Sequence, residues 1–208
     1  MTMQNQKAKT VWLVRHGHVQ MPGEQKCYLG RTDIALSEKG IAQAEWLRKF
    51  FADKAAAAVY HSPLHRCGQT AKILADKHAE CIAVSVLQEI HMGSWEMLPI
   101  EKLKSEQPEV YRLRGEQMDT FCPPGGESFA ECQERIVAAF QNIASQQKPG
   151  SSVIIVAHAG VNRCLLSWIL KTPLKDLLAI PQPHACITKL TETDGVWQMT
   201  DAIECPVK

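Results

Sequence analysis

Two arginines, two histidines and a glutamate stand just beyond apolar runs. Arg15 and His16 follow Thr10–Val14. Arg66 lies shortly after Ala57–Tyr60 and His61, Glu89 follows Ile82–Val86, and His158 follows Ser152–Ala157. The runs read as short buried strands. In an open parallel sheet, ligands bind outside the carboxyl ends of the strands. Arg15, His16, Arg66, Glu89 and His158 are therefore expected to meet in one crevice.

That set suits phosphoryl transfer. Phosphate-monoester hydrolysis is so slow that accelerations reach ~10²¹-fold, about 29 kcal/mol, more than one group supplies. Arginine forks neutralise and orient phosphoryl oxygens. A neutral imidazole nitrogen attacks in line and splits one hard step into two. A carboxyl group protonates the leaving alkoxide and then activates water. A second histidine, if protonated, adds charge where the transition state spreads its own.

The elements that must position these groups alternate strand and helix, which predicts a three-layer α/β/α sandwich around a mostly parallel sheet. Ser37 caps a helix with Ile41, Ala44, Leu47 and Phe51 on one face. Ser62-Pro63 reads as a cap with proline at the first helical position. Ser128 and Glu131 form a capping box, opening a helix with Phe129, Cys132, Ile136, Phe140 and Ile143 inward and ending at Lys148-Pro149-Gly150. Residues 186–191 and 196–201 flank Asp194-Gly195 as a hairpin, giving one antiparallel edge strand. The span 92–126 is less regular, with an amphipathic helix near 100–114 and a Pro-Pro-Gly-Gly turn, and is expected to be a small helical lid insertion in a single domain over 1–208.

Bulk properties narrow the function. Lys and Arg number 23 against 22 Asp and Glu, too balanced for a general nucleic-acid or anionic-membrane surface. No apolar stretch is long enough to span a bilayer, and the polar start lacks the apolar core of a secretory signal. Eight cysteines without a Cys-x-x-Cys pair read as small buried hydrophobes in a reducing cytosol. A soluble cytoplasmic protein is expected, as monomer or homodimer, with a small-molecule partner.

Other residues are weighed the same way. His61 and His65 have metal-pair spacing, but Pro63 intervenes and no ligand cluster accompanies them, so structural or pocket-lining roles are favoured. Cys67 reads as buried filler, because no Cys-x5-Arg phosphate loop is present. His18 and His91 fit either the substrate entrance or the surface. Arg66 fits either a solvated helix face or the pocket. Glu96 is a rival to Glu89, which is favoured, leaving Glu96 as a capping or rim residue.

Five blocks in order carry a resemblance: Leu13-Val-Arg-His-Gly17, Ser62-Pro-Leu-His-Arg66-Cys-Gly-Gln-Thr70-Ala71, Leu87-Gln-Glu89-Ile-His-Met-Gly93-Ser-Trp95-Glu96, Pro124-Gly-Gly-Glu-Ser128 and Val156-Ala-His158-Ala-Gly160. The chain resembles the histidine phosphatase superfamily, the phosphoglycerate-mutase-like fold, over nearly its whole length. The resemblance implies a phosphomonoester hydrolase with His16 as the phosphohistidine, Glu89 as acid then base, and Arg15, Arg66 and His158 around the phosphate, with no metal and no cofactor.

Tyr28-Leu-Gly30-Arg-Thr-Asp33, Leu36-Ser-Glu-Lys-Gly40 and Gly93-Ser-Trp-Glu-Met97 are similar to alpha-ribazole phosphatases and related small bacterial phosphatases. This implies alpha-ribazole 5′-phosphate as substrate, in cobalamin nucleotide-loop assembly, or a broader range of small phosphomonoesters. The chain departs from the wider pattern at His18-Val19, usually Glu-Thr, and near Met21–Gly23, where an asparagine that helps hold phosphate is missing. A cofactor-dependent phosphoglycerate mutase is one rival, although the segment from Glu89 to Pro123 is short for the insertion such enzymes use to exclude water. A catalytically silent phosphate-binding regulatory module is another, opposed by the intact set of five residues.

Overall fold

A computed structural model describes residues 8–76 and 79–207. Six strands form one sheet in the order β3-β2-β4-β1-β5-β6. They are β1 (Thr10–Arg15), β2 (Ala58–His61), β3 (Glu80–Ala83), β4 (Ser152–Ala157), β5 (Ile187–Thr193) and β6 (Val196–Ile203). The first four run parallel, and β5 runs against both β1 and β6. The fold is α/β, with the antiparallel pair at one edge as expected.

Alternation along β1 explains the layers, because successive side chains leave opposite faces of a strand. Trp12 and Val14 join Val59, Ile154 and Val156 under α1 (Glu38–Phe51) and α2 (His65–Ala75). Val11 and Leu13 join Val153 and Ile155 under α5 (Phe129–Ser145) and α6 (Ala159–Leu170). Each fully buried aliphatic or aromatic side chain contributes roughly 1.5–3 kcal/mol, so both helix layers are held mainly by apolar burial.

The caps at Ser37 and Ser128 form as the sequence predicts, the latter as a reciprocal capping box. All five expected inward residues of α5 are buried. In α1 the buried face is Gly40, Gln43, Ala44, Leu47 and Phe51, while Ile41 is exposed. Ile41 lies one position off that stripe. The third strand is earlier and shorter than the apolar run 82–86. Its neighbour in the sheet, β2, ends at His61 before Ser62-Pro63, and Ser85–Leu87 then forms a 3-10 turn.

The second helix starts at His65, not after Ser62. The Ser62 hydroxyl instead accepts from Leu64 N at 3.3 Å and pairs with His158. The single helix expected near 100–114 is two, α3 (Ile100–Glu106) and α4 (Pro108–Glu116). Pro108 lacks an N–H and bars helical geometry at Gln107, whose φ is −135° and ψ 60°. Asp194 and Gly195 both take positive φ, 51° and 78°, as the tight β5–β6 hairpin requires.

No described helix is long and apolar enough to cross a membrane. All eight cysteines are unpaired. Cys67, Cys132, Cys164 and Cys186 are buried, but Cys122 is exposed, against the expectation that all serve as core filler.

Candidate active site

Strand register brings the distant segments level. Arg15 sits opposite Ala157, and His61 opposite Val156. His16, Ser62 and His158 thus emerge together at the carboxyl end of the sheet. His16 and His158 are almost fully buried, with ring centroids 5.2 Å apart.

The hydrogen bonds of His16 define its tautomer. Nδ1 lies 2.7 Å from the Gly17 carbonyl, which only accepts, so Nδ1 carries the proton and Nε2 keeps its lone pair. Burial pushes the imidazole well below its ordinary pKa, and His158, Arg15 and Arg66 push the same way. It is neutral, the state a nucleophile needs. Glycine at 17 is required by packing, since a Cβ there would lie 2.5 Å from the Gly40 carbonyl oxygen.

His158 is also held neutral, by burial and then by Arg66 and Arg15. Its Nδ1 accepts from Arg66 Nε at 3.2 Å, which leaves Nε2 to donate to the Ser62 hydroxyl at 2.8 Å. A proton on Nδ1 would face that guanidinium. His158 therefore contributes through its arginine and serine contacts, and burial beside Arg66 and Arg15 disfavours the positive charge considered from sequence.

Arg66 is 1% exposed and firmly anchored. Besides His158, it donates through Nη1 to the Thr32 carbonyl and through Nη2 to the Gly30 carbonyl, each at 2.7 Å. The loop offering those carbonyls is clamped by Glu96. Its carboxylate accepts from Arg31 N, Thr32 N, Thr32 Oγ1 and Met92 N at 2.6–3.1 Å. Burial alone would raise the Glu96 pKa, but those hydrogen bonds outweigh it and hold it below the usual range. Gly30 lets the carboxylate in, since its φ is +52° and a Cβ would lie 2.2 Å from Glu96 Oε1. The sequence leaves Glu96 as a capping or rim residue, and here it holds the loop at residues 31–32 together with Met92 N.

Arg15 donates through Nη1 to the Gln182 carbonyl and through Nη2 to His184 Nε2 at 2.9 Å. Its Nε is buried with no hydrogen-bond partner among the described residues. Burial pulls its pKa down to about 10, opposed by Glu89 and the Cys186 thiol. A buried guanidinium with an unmet donor is suited to an oxyanion.

Glu89 lies at the amino end of α6. Oε1 accepts from Ile90 N at 2.9 Å and Val161 N at 3.1 Å, and Oε2 from Gly160 N at 3.1 Å. A helix amino terminus offers free N–H groups and a favourable dipole to a carboxylate. A side chain at Gly160 would displace it, because a Cβ would stand 2.6 Å from Oε1. The Glu89 carbonyl is gripped separately by Arg31 Nε at 3.0 Å and Arg135 Nη2 at 3.4 Å. Glu127 ties those two arginines together, with a two-point bond to Arg135 at 2.5 and 2.9 Å.

All five residues expected at the crevice thus lie at this end of the sheet. Sequence reasoning missed Ser62 as a partner of His158, as well as Arg31, Glu127, Arg135, Gln182 and His184. Glu127 sits inside the Pro-Gly-Gly-Glu-Ser block and could have been flagged there. His184, in an irregular segment, gave no signal. His18 lies at the rim, its Nδ1 2.8 Å from Ser37 Oγ and its ring 5.1 Å from that of His184. Burial, then Lys39 and Arg15, lower its pKa.

The remaining candidates make other contacts. His61 Nδ1 bonds the Ser62 carbonyl at 2.8 Å, and His65 is tied through its backbone N to Asp33. His91 bonds Glu127 through its backbone N and carbonyl. Burial pushes the Cys67 thiol far up, and Sγ donates to the Ala157 carbonyl. Among the described residues no cluster of three or more His, Cys, Asp or Glu is placed to hold a metal.

Residues 11–203 match the model of the histidine phosphatase superfamily, branch 1. "Probable phosphoglycerate mutase GpmB" of Yersinia pestis is 31% identical over 188 residues, covering 90% of this chain and 86% of that protein. Fructose-2,6-bisphosphatase of Saccharomyces cerevisiae is 28% identical over 198 residues, 89% of this chain but only 42% of the yeast enzyme's length. Among solved structures, a mycobacterial glucosyl-3-phosphoglycerate phosphatase has a TM-score of 0.82 at 25% identity, covering 93% of this chain and 98% of that one. The alpha-ribazole phosphatase of Shigella flexneri has a TM-score of 0.85 at 23% identity, covering 96% of this chain and 98% of that one, and shares the fold.

Proposed function

Because this chain belongs to the histidine phosphatase superfamily, we propose that it hydrolyses small phosphomonoesters through a phosphohistidine on His16. The observation that carries the reading is the 2.7 Å contact of His16 Nδ1 with the Gly17 carbonyl, which commits the Nδ1 proton and leaves Nε2 to attack from an imidazole that burial disfavours charging. Nε2 forms the N–P bond as the P–O bond to the alcohol breaks. A proton carried on Glu89 Oε2, which accepts one N–H where Oε1 accepts two, passes to the leaving oxygen, and the carboxylate so formed then takes one from the attacking water. That water breaks the N–P bond and releases phosphate. Arg15 and Arg66 carry the phosphoryl charge throughout.

Alpha-ribazole 5′-phosphate is the leading substrate, on the motif resemblance in residues 28–40 and 93–97. Phosphoglycerate mutation is the second reading, favoured by the 31% identity to the Yersinia protein. A panel of alpha-ribazole 5′-phosphate, sugar phosphates, phosphoglycerates and nucleotides, followed by phosphate release and by isomer analysis, separates them. The expected result is phosphate release, with alpha-ribazole 5′-phosphate preferred at least about tenfold in kcat/KM. Isomerised phosphoglycerate without free phosphate would replace hydrolase by mutase.

The role of Glu89 has its own test. Glu89→Gln is expected to slow an alkyl phosphate by about 10²–10⁴-fold but nitrophenyl phosphate, whose leaving group needs no proton, far less. Glu96→Gln, which loosens the clamp on Arg66, is expected to slow both alike. The opposite pattern would make Glu96 the proton donor.

A further inference from the structure

The segment Gln182–His184 contains none of the residues given a chemical role above, yet it grips Arg15 from one side. Two backbone bonds fix it against β1: Ala185 N donates to the His16 carbonyl and Arg15 N to the Cys186 carbonyl, both at 3.1 Å. A third tie comes from α6, where Asn162 Nδ2 donates to Gln182 Oε1 at 2.9 Å. From this anchored segment the Gln182 carbonyl meets Arg15 Nη1 and His184 Nε2 meets Nη2. The His184 ring lies 5.7 Å from that of His16 and 5.1 Å from that of His18.

We propose that His184 is a positioning residue for Arg15, a neutral imidazole acceptor that fixes the rotation of the guanidinium so that its remaining donors meet the phosphoryl oxygens. The inference rests on the phosphatase reading for its role in turnover. Arginine offers only donors, so the His184 nitrogen facing it must be the unprotonated one and the proton must sit on Nδ1. Burial, followed by Arg15, His18 and Lys39, pulls the His184 pKa down to about 3, so the acceptor persists through the neutral range. Held at two donors, the guanidinium need not be ordered when the anion arrives, which is where preorganised charge gains its advantage.

A shape-filling role and an acceptor role predict different variants. His184→Leu fills the space without an acceptor, whereas His184→Gln places an amide oxygen near the position of Nε2. In the full chain, with thermal melting to check folding, Leu is expected to weaken inorganic phosphate, measured as a competitive inhibitor and by direct titration, by about tenfold or more. It is expected to lower kcat/KM for nitrophenyl phosphate by at least as much, with Gln within about threefold of the unaltered protein. Nitrogen-15 spectra of the unaltered protein are expected to place the His184 proton on Nδ1. Leu binding phosphate normally, Gln losing as much as Leu, or a proton on Nε2 would each overturn the proposal. Failure of the phosphatase reading would look different: the unaltered protein would not hydrolyse phosphate esters, while phosphate affinity and the tautomer would still decide the role of His184.

Discussion

His16→Ala is expected to remove phosphate release down to the background of the buffer, a loss on the order of 10⁵–10⁶-fold if the nucleophile carries its usual share. The same variant should yield no acid-labile, base-stable phosphoprotein when quenched during turnover. It should still fold, because among the described residues the His16 side chain makes one hydrogen bond, to its neighbour's carbonyl, and its ring meets His158 edge-on and His184 at a tilt. It should also still bind inorganic phosphate, since the guanidinium groups are anchored independently of it. Phosphoprotein formation surviving in His16→Ala would move the nucleophile elsewhere. His158 is the neighbouring imidazole, but both its nitrogens are already engaged.

Arg66→Ala is expected to damage stability and activity together. Its guanidinium meets the Thr32 and Gly30 carbonyls and His158 Nδ1, and truncation strips all three of their donor while opening a cavity. Leaving a buried acceptor without its donor costs about 1–3 kcal/mol, so the loss is expected to be several kcal/mol, roughly 10 °C in melting temperature for a chain of this size. In turnover, the loss of one preorganised donor set should cost at least about 10²–10³-fold in kcat/KM. Arg66→Lys separates the effects: it restores the charge but not the three-way fork, so stability should recover more than activity. Near-unaltered melting and turnover in Arg66→Ala would show that the guanidinium is dispensable to both.

The parts legible in the sequence were those whose signal is local. The strand ends before His16 and His158 follow from short apolar runs, and α5 follows from its cap and its 3.6-residue stripe. Glu89 was placed by its distance from an apolar run, even though the strand there is shifted. Errors arose where a neighbour overrode local preference. Ser62 was drawn from capping to His158, and the one-residue offset of Ile41 put it outside the buried stripe. Pro108, a local signal, was passed over inside an otherwise helical pattern. The second tier of the site was hidden for another reason. Its bonds join residues far apart in the chain, 169 positions for Arg15 and His184 and 92 for Arg66 and His158. No window of sequence contains both ends of such a contact.

The sheet order has a consequence for how the protein is made. Strand β4 lies between β1 and β2, so the two earliest strands are not neighbours and meet only through a strand that starts at Ser152. A growing chain must hold β1 and β2 without their shared partner until about three-quarters of it has been synthesised, and long-range parallel pairing of this kind forms slowly. Until then the facing edges of β1 and β2 lack the strand that joins them, and unpaired strand edges are what a nascent chain most needs shielded from aggregation. The arrival of β4 brings His158 level with His16 and closes the middle of the sheet, while Arg15 still awaits the segment 182–184 that holds its guanidinium.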